Sequence, residues 1–331
     1  MGAPFLFFRF SVNQFLCLTF YKFVLRLLHH CSCFWSADYA EGEGWLRVEA
    51  DASLSILTVR VLYPCFFFFY LVGHKGTLIP FHFSVLICSG FISICLGFGV
   101  ALGVGYLMKL DKRVCSSFSF CSGIFNYGFF AFPVAGAIFG EQLIPKIIIF
   151  NLGVEIAVWT VGVYLLASNQ FKLKRLINPP IVSIILAVLV REIGGQSIVP
   201  DFVWNIISLL GACAIPICLL LIGGNFADLL KNFKVSSGCK VEISAILVRL
   251  LIVPGFMFLY AWKGSIPNEI SWLQHILLVQ AAMPAGIFAI VIVKTYDADT
   301  NTAMRAILAT MVACLVSIPV WLYLGINLVL K

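Results

Sequence analysis

Asn151 and Glu155 lie four residues apart in NLGVEIAVW, so one helical face carries both. An acid inside an apolar span is costly, and it marks a functional site by default. There it is a candidate proton carrier, for coupling or gating. The plainer alternative is a structural ion pair, with Arg60 or Arg249 as the available cation. Either arginine also suits an anion, although Arg60 stands four residues before Pro64 and near enough to a span end to snorkel to the surface. Asn126 in CSGIFNYGFFAFPVAGAIFG and Gln280 in LLVQAAMPAGIFAIVIVKTY each supply a donor and an acceptor. Each precedes a proline, Pro133 and Pro284 respectively. Proline removes a backbone donor and crowds the preceding turn, and the nearby glycines let the helix open. An opened helix presents unpaired N–H groups and partial positive charge at the start of its second half, which is chemistry for a carboxylate. The plainer alternative is a pair of proline kinks whose polar residues are satisfied by neighbouring helices.

These residues need membrane-spanning elements to hold them, and the composition supplies those. The chain has 331 residues, 61% of them hydrophobic and 11% charged, with mean hydropathy +1.03. Soluble domains carry about 25% charge, so this is an integral membrane protein with little room for a soluble domain. The formal charge of +7 reflects basic residues in short loops rather than a nucleic-acid surface. Twelve cysteines show no CxxC pair and mostly sit in apolar stretches, where a free thiol behaves as a small hydrophobe. The cluster His29-His30-Cys31-Ser32-Cys33 matches no common zinc pattern, so no metal and no cofactor is expected. No Gly-rich phosphate loop, HExxH or Ser–His–Asp arrangement occurs, so an enzyme is not expected.

Ten apolar spans are expected, at 4–29, 53–73, 84–108, 115–139, 143–167, 178–194, 202–223, 243–262, 271–294 and 302–329. The first is atypical, carrying Arg9, Lys22 and Arg26, and residues 1–43 read as a separate N-terminal segment before a single transporter domain over 44–331. Asn178-Pro179-Pro180 reads as a helix start and Asn225 as a helix end. Numbering loops by the spans they join, odd loops carry twelve basic residues and even loops four. The positive-inside rule then places odd loops in the cytoplasm and both termini outside.

The prolines also pair. Pro64 and Pro133 are 69 residues apart, and Pro216 and Pro284 are 68 apart. Equivalent spans are five apart, an odd number, so they cross in opposite directions. The expected architecture is all-α: ten transmembrane helices in an inverted 5+5 repeat, about 1–167 and 178–331, with two crossed broken helices whose half-helix ends converge near the midplane.

Four stretches carry a resemblance: NYGFFAFPVAGAIFG, FNLGVEIAVWTVG, NPPIVSIILAVLV and QAAMPAGIFAIVIVKTYD. They resemble the auxin efflux carrier family, over about residues 44–331. The chain is most similar to short-loop bacterial members, some of them permeases for malonate or other organic acids. Its junction SNQFKLKRLI lacks the long central loop of the plant auxin carriers. The resemblance implies a fold similar to the sodium–bile acid symporters, with a scaffold part and a transport part. It implies that Pro133 and Pro284 mark the broken helices, with Asn126 and Asn151 as substrate contacts. It also implies a small organic anion as substrate, proton or membrane-potential coupling, and no nucleic acid. The departure from the family lies in residues 1–43, which replace its usual clean first helix.

The expected function is thus a secondary carrier working by alternating access, with substrate contacts at Asn126, Pro133, Asn151, Gln280 and Pro284. The expected partners are that anion, a proton or sodium ion, the bilayer and a second copy of the chain. A membrane ligand sensor with the same fold is the alternative.

Overall fold

The computed structural model describes residues 48–73, 80–166, 178–218, 221 and 239–330. The expected first span, the His/Cys cluster, the repeat junction and Asn225 lie outside the described residues. Those described form helices and no sheet, joined by one isolated antiparallel bridge, Phe125 to Ala285. Six helices are long and apolar enough to cross a membrane: Ser53–Gly73, Phe81–Leu107, Glu141–Leu166, Asp201–Cys218, Lys240–Lys263 and Thr300–Val329.

In chain order the elements are α1 (48–73), α2 (Pro80–Leu107), α3 (Lys112–Gly123), α4 (Ala131–Phe139), α5 (Ile144 onward to 166), α6 (Pro179–Ile193), α7 (from Asp201), α8 (Lys240–Lys263), α9 (Trp272–Ala282), α10 (Ala289–Thr295) and α11 (Thr300–Val329). Two apolar stretches, α3–α4 and α9–α10, are interrupted, over residues 124–130 and 283–288. Pro284 lies inside its interruption, but Pro133 does not. It sits in the first turn of α4, where its missing N–H deprives no bond. Pro64 leaves α1 continuous, because a widened π turn, Thr58–Leu62, precedes it and absorbs the ring. Pro254 follows a similar turn, Val248–Ile252, in α8.

The helices pack in two groups. α1 lies along α6 and α7. The remainder assemble around α2, which packs on α3 and α5, and around α11, which packs on α3, α8 and α9. Lipid offers no hydrophobic drive for helix association, so small residues that admit close backbones decide such packing. A Cβ at Gly153 would stand 1.9 Å from the carbonyl oxygen of Ile87, and one at Gly90 would stand 2.1 Å from that of Phe150. Only glycine fits where α2 and α5 meet. The starts of α8 and α11 are tied by a bidentate pair, Arg305 Nε and Nη2 to the Glu242 carboxylate at 2.6 and 2.8 Å.

Contacts at the helix ends sort the loops onto two faces. Arg113 reaches Asp297 at 3.2 Å, bringing the α2–α3 and α10–α11 loops together. Lys146 lies over the Trp272 ring at 5.9 Å, and Phe139 meets His275 at 5.0 Å, bringing the α4–α5 and α8–α9 loops together at the other end.

Candidate functional site

The two interruptions cross and bond. Asn126 N donates to the carbonyl oxygen of Pro284 at 2.8 Å, and Gly286 N donates to that of Ile124 at 3.2 Å. Ala285 N donates to Thr310 Oγ1 on α11 at 3.2 Å. Opening a helix in an apolar medium strands backbone groups, and the crossing lets each break satisfy part of the other. The approach needs Gly286, since a Cβ there would lie 2.8 Å from Ile124.

Asn126 is buried at 3% exposure. Its Oδ1 accepts from Phe129 N at 3.1 Å and Phe130 N at 3.4 Å, capping the start of α4. Its Nδ2 has no partner among the described residues. Asn151 on α5 donates through Nδ2 to the carbonyl oxygen of Tyr127 at 2.9 Å and accepts at Oδ1 from Gln280 Nε2 at 3.0 Å. One asparagine thereby holds the first break to the helix that leads into the second. Gln280 Oε1 is left without a partner.

A cavity of about 160 Å³ lies against this crossing, between the two helix groups. A cavity of about this size holds a molecule of roughly benzene's bulk. α1 contributes Val59, Tyr63 and Phe67, and the start of α6 contributes Asn178, Pro180, Ile181 and Ile184. Opposite them stand Asn126, Tyr127 and Phe129 of the first break, Asn151, Glu155 and Trp159 of α5, and Gly286, Ile287 and Phe288 of the second. Ile292 of α10 and the later half of α5 place the cavity toward the face that carries Arg113 and Asp297.

Glu155 is the one carboxylate among the described residues that line the cavity, and no Lys, Arg or His lines it. Its Oε1 accepts from Tyr127 OH at 2.7 Å and its Oε2 from Trp159 Nε1 at 2.8 Å. Both carboxylate oxygens are thus held by neutral donors, and the alternative ion pair with Arg60 or Arg249 is not formed. Arg60 is exposed on the π turn of α1 and does not line the cavity. Arg249 is fully buried behind the crossing, against Phe125. Pro284 accepts from Asn126 N at its carbonyl within the crossing, and Pro133, Gln280 and Pro284 all stand outside the cavity wall.

Sequence reasoning missed Tyr127 and Trp159 as the holders of Glu155. The signal was present: Trp159 is four residues beyond Glu155, on the same helical face. It also missed Tyr63, whose ring faces the cavity while its hydroxyl accepts from Cys218 Sγ at 3.2 Å. Asn178 does cap α6 as expected, through Oδ1 to Ile181 N at 3.0 Å, and it stands at the cavity rim as well.

Residues 163–322 match a family described as membrane transport protein. Two archaeal relatives are similar over most of their length. An uncharacterized transporter of Methanocaldococcus jannaschii is 23% identical over 229 residues, 67% of this chain and 72% of the relative. An uncharacterized transporter of Methanothermobacter thermautotrophicus is 22% identical over 238 residues, 69% of this chain and 76% of the relative.

Proposed function

We propose that this chain, similar to membrane transport proteins in family and in relatives, is a secondary carrier of a small organic anion. The observation that carries the reading is the cavity at the crossing. It combines a buried amide donor without a partner, Asn126 Nδ2, with one acid, Glu155, in an otherwise apolar and aromatic wall. Apolar pockets with a few placed polar groups are the usual form of small-molecule sites. The start of α4 adds its helix-end potential, and the cavity size favours acids of few heavy atoms.

The two groups of helices suit alternating access, α1, α6 and α7 serving as one body and the remainder as the other. Rocking one against the other would move the cavity's opening between the two faces, as an inverted ten-helix 5+5 repeat permits. With the basic loops in the cytoplasm, the cavity lies toward the inner side. Glu155 couples the cycle to protons. An ionised carboxylate opposes a second negative charge in the same small cavity, and a protonated one does not. Tyr127 and Trp159 hold it in place, Tyr63 is the other titratable group on the wall, and Arg249 stands behind.

The test is uptake into proteoliposomes of radiolabelled dicarboxylates, indole acids and amino acids, after thermal-shift screening of the purified protein. Saturable uptake of an organic acid that is enhanced by an inward proton gradient is expected. Binding without uptake of any ligand would instead make the protein a sensor.

A further inference from the structure

Arg249 stands in the widened turn Val248–Ile252 of α8 and is 0% exposed. Its Nη2 donates to the carbonyl oxygen of Ala281 at 3.2 Å, at the end of α9. Its guanidinium carbon lies 5.2 Å from the centre of the Phe125 ring, in the other interruption. Nε and Nη1 have no partner, and no carboxylate pairs with it among the described residues. One carbonyl and one ring do not balance a full charge taken out of water. Such a charge calls for an opposite one nearby during some part of the protein's work.

The cavity is where that opposite charge can arrive. Phe125 belongs to both places, bearing the guanidinium and contributing to the cavity wall. With no cation on the wall itself, an anion in the cavity would find its closest buried positive charge behind Phe125.

We propose that Arg249 is the charge that makes the cavity select anions, acting from behind the crossing without touching the cargo. This rests on the carrier reading above. Asn126 Nδ2 makes the contact, and Arg249 supplies the potential. In a weakly screened interior a unit charge about 8 Å away changes anion affinity by roughly tenfold or more. The arrangement suits a carrier, because direct bidentate arginine–carboxylate pairs are strong and specific, and a cargo must also be released. The rival role is purely structural. Arg249 caps the carbonyl end of α9, where a cation is favourable, and that role bears on stability without bearing on charge preference.

The experiment compares binding of malonate and benzoate with binding of their neutral amides, malonamide and benzamide, by calorimetry on purified full-length protein. It uses the wild type, R249Q, R249K and R249M. R249M guards against a fold defect, because a buried charge replaced by an apolar group of similar shape is often neutral or stabilising. R249Q and R249M are expected to lose at least tenfold of the acid-over-amide preference, with amide affinity changed less than about threefold. R249K is expected to keep the preference. A neutral variant that keeps the wild-type preference overturns the proposal, as does one that weakens acid and amide equally. If the wild type itself binds no acid, the anion-carrier reading falls first. If the wild type prefers acids and the neutral variants still do, only the role of Arg249 falls.

Discussion

At the scale of single residues, Asn126 does two jobs that can be separated. Its Oδ1 caps α4, and its Nδ2 is buried with no partner among the described residues, in a side chain that lines the cavity. Asn126→Asp keeps an acceptor for the cap and removes the donor. We expect it to melt within a few degrees of the wild type while binding the proposed acid cargo at least tenfold more weakly, a loss of about 1.5–3 kcal/mol. Unchanged affinity would remove Asn126 from the site. Glu155 is tested through pH. Its ionised form opposes a bound anion, so wild-type affinity should fall as pH rises. Glu155→Gln should flatten that profile while binding stays measurable, and uptake should lose its response to a proton gradient. A Gln variant with the wild-type pH profile would end the coupling role. Both residues were legible as polar groups in apolar spans. Their partners were not, because Tyr127 and Trp159 look like ordinary aromatic residues until the chain opens at residues 124–130.

At the scale of elements, the crossing depends on how closely two backbones can pass. Gly286 leaves no room for a side chain beside Ile124. Gly286→Val should force the interruptions apart, break the bond from residue 286 N to Ile124 O, and lower the melting temperature by several degrees, with binding lost. A stable variant that binds normally would show that the crossing tolerates separation. Helix positions were legible: each expected span that falls on described residues has a helix within a few residues of its expected position, and six of these helices are long and apolar enough to cross a membrane. The place of the breaks was only half legible. Proline was read as the breaker, yet Pro64 sits in a continuous helix and Pro133 lies past the gap it was expected to make. A π turn can absorb a proline, and what opens the first break is Asn126 capping α4 together with the bonds across to Pro284 and Gly286.

At the scale of the whole molecule, the loops gather on two faces, one marked by Arg113 and Asp297 and the other by Lys146 and Trp272. The basic bias of the first face predicts which side is cytoplasmic. In intact cells an impermeant thiol reagent should label Lys263→Cys and spare Lys112→Cys, and in inverted vesicles the pattern should reverse. Labelling of position 112 from outside would invert the orientation. Charge counting gives an expected sidedness, but it could not anticipate which helices pack together, because grouping depends on surfaces such as the glycine contact of α2 with α5. The seam between the groups is built of rings. Phe132 meets Phe66 at 5.2 Å and Phe67 at 5.9 Å, and Tyr63 meets Phe129 at 5.9 Å, all tilted between 48° and 63°. Ring pairs of this kind are worth only about 0.5–1.5 kcal/mol each, and their energy varies gently with angle. Under the proposed rocking, such a seam behaves as a greased bearing. Slippage trades one ring contact for the next, no ionic latch among the described residues has to be broken along it, and friction stays low throughout the stroke. A device with so shallow a detent does not choose its own direction, so the gradients on either side of the bilayer set which way the cargo moves.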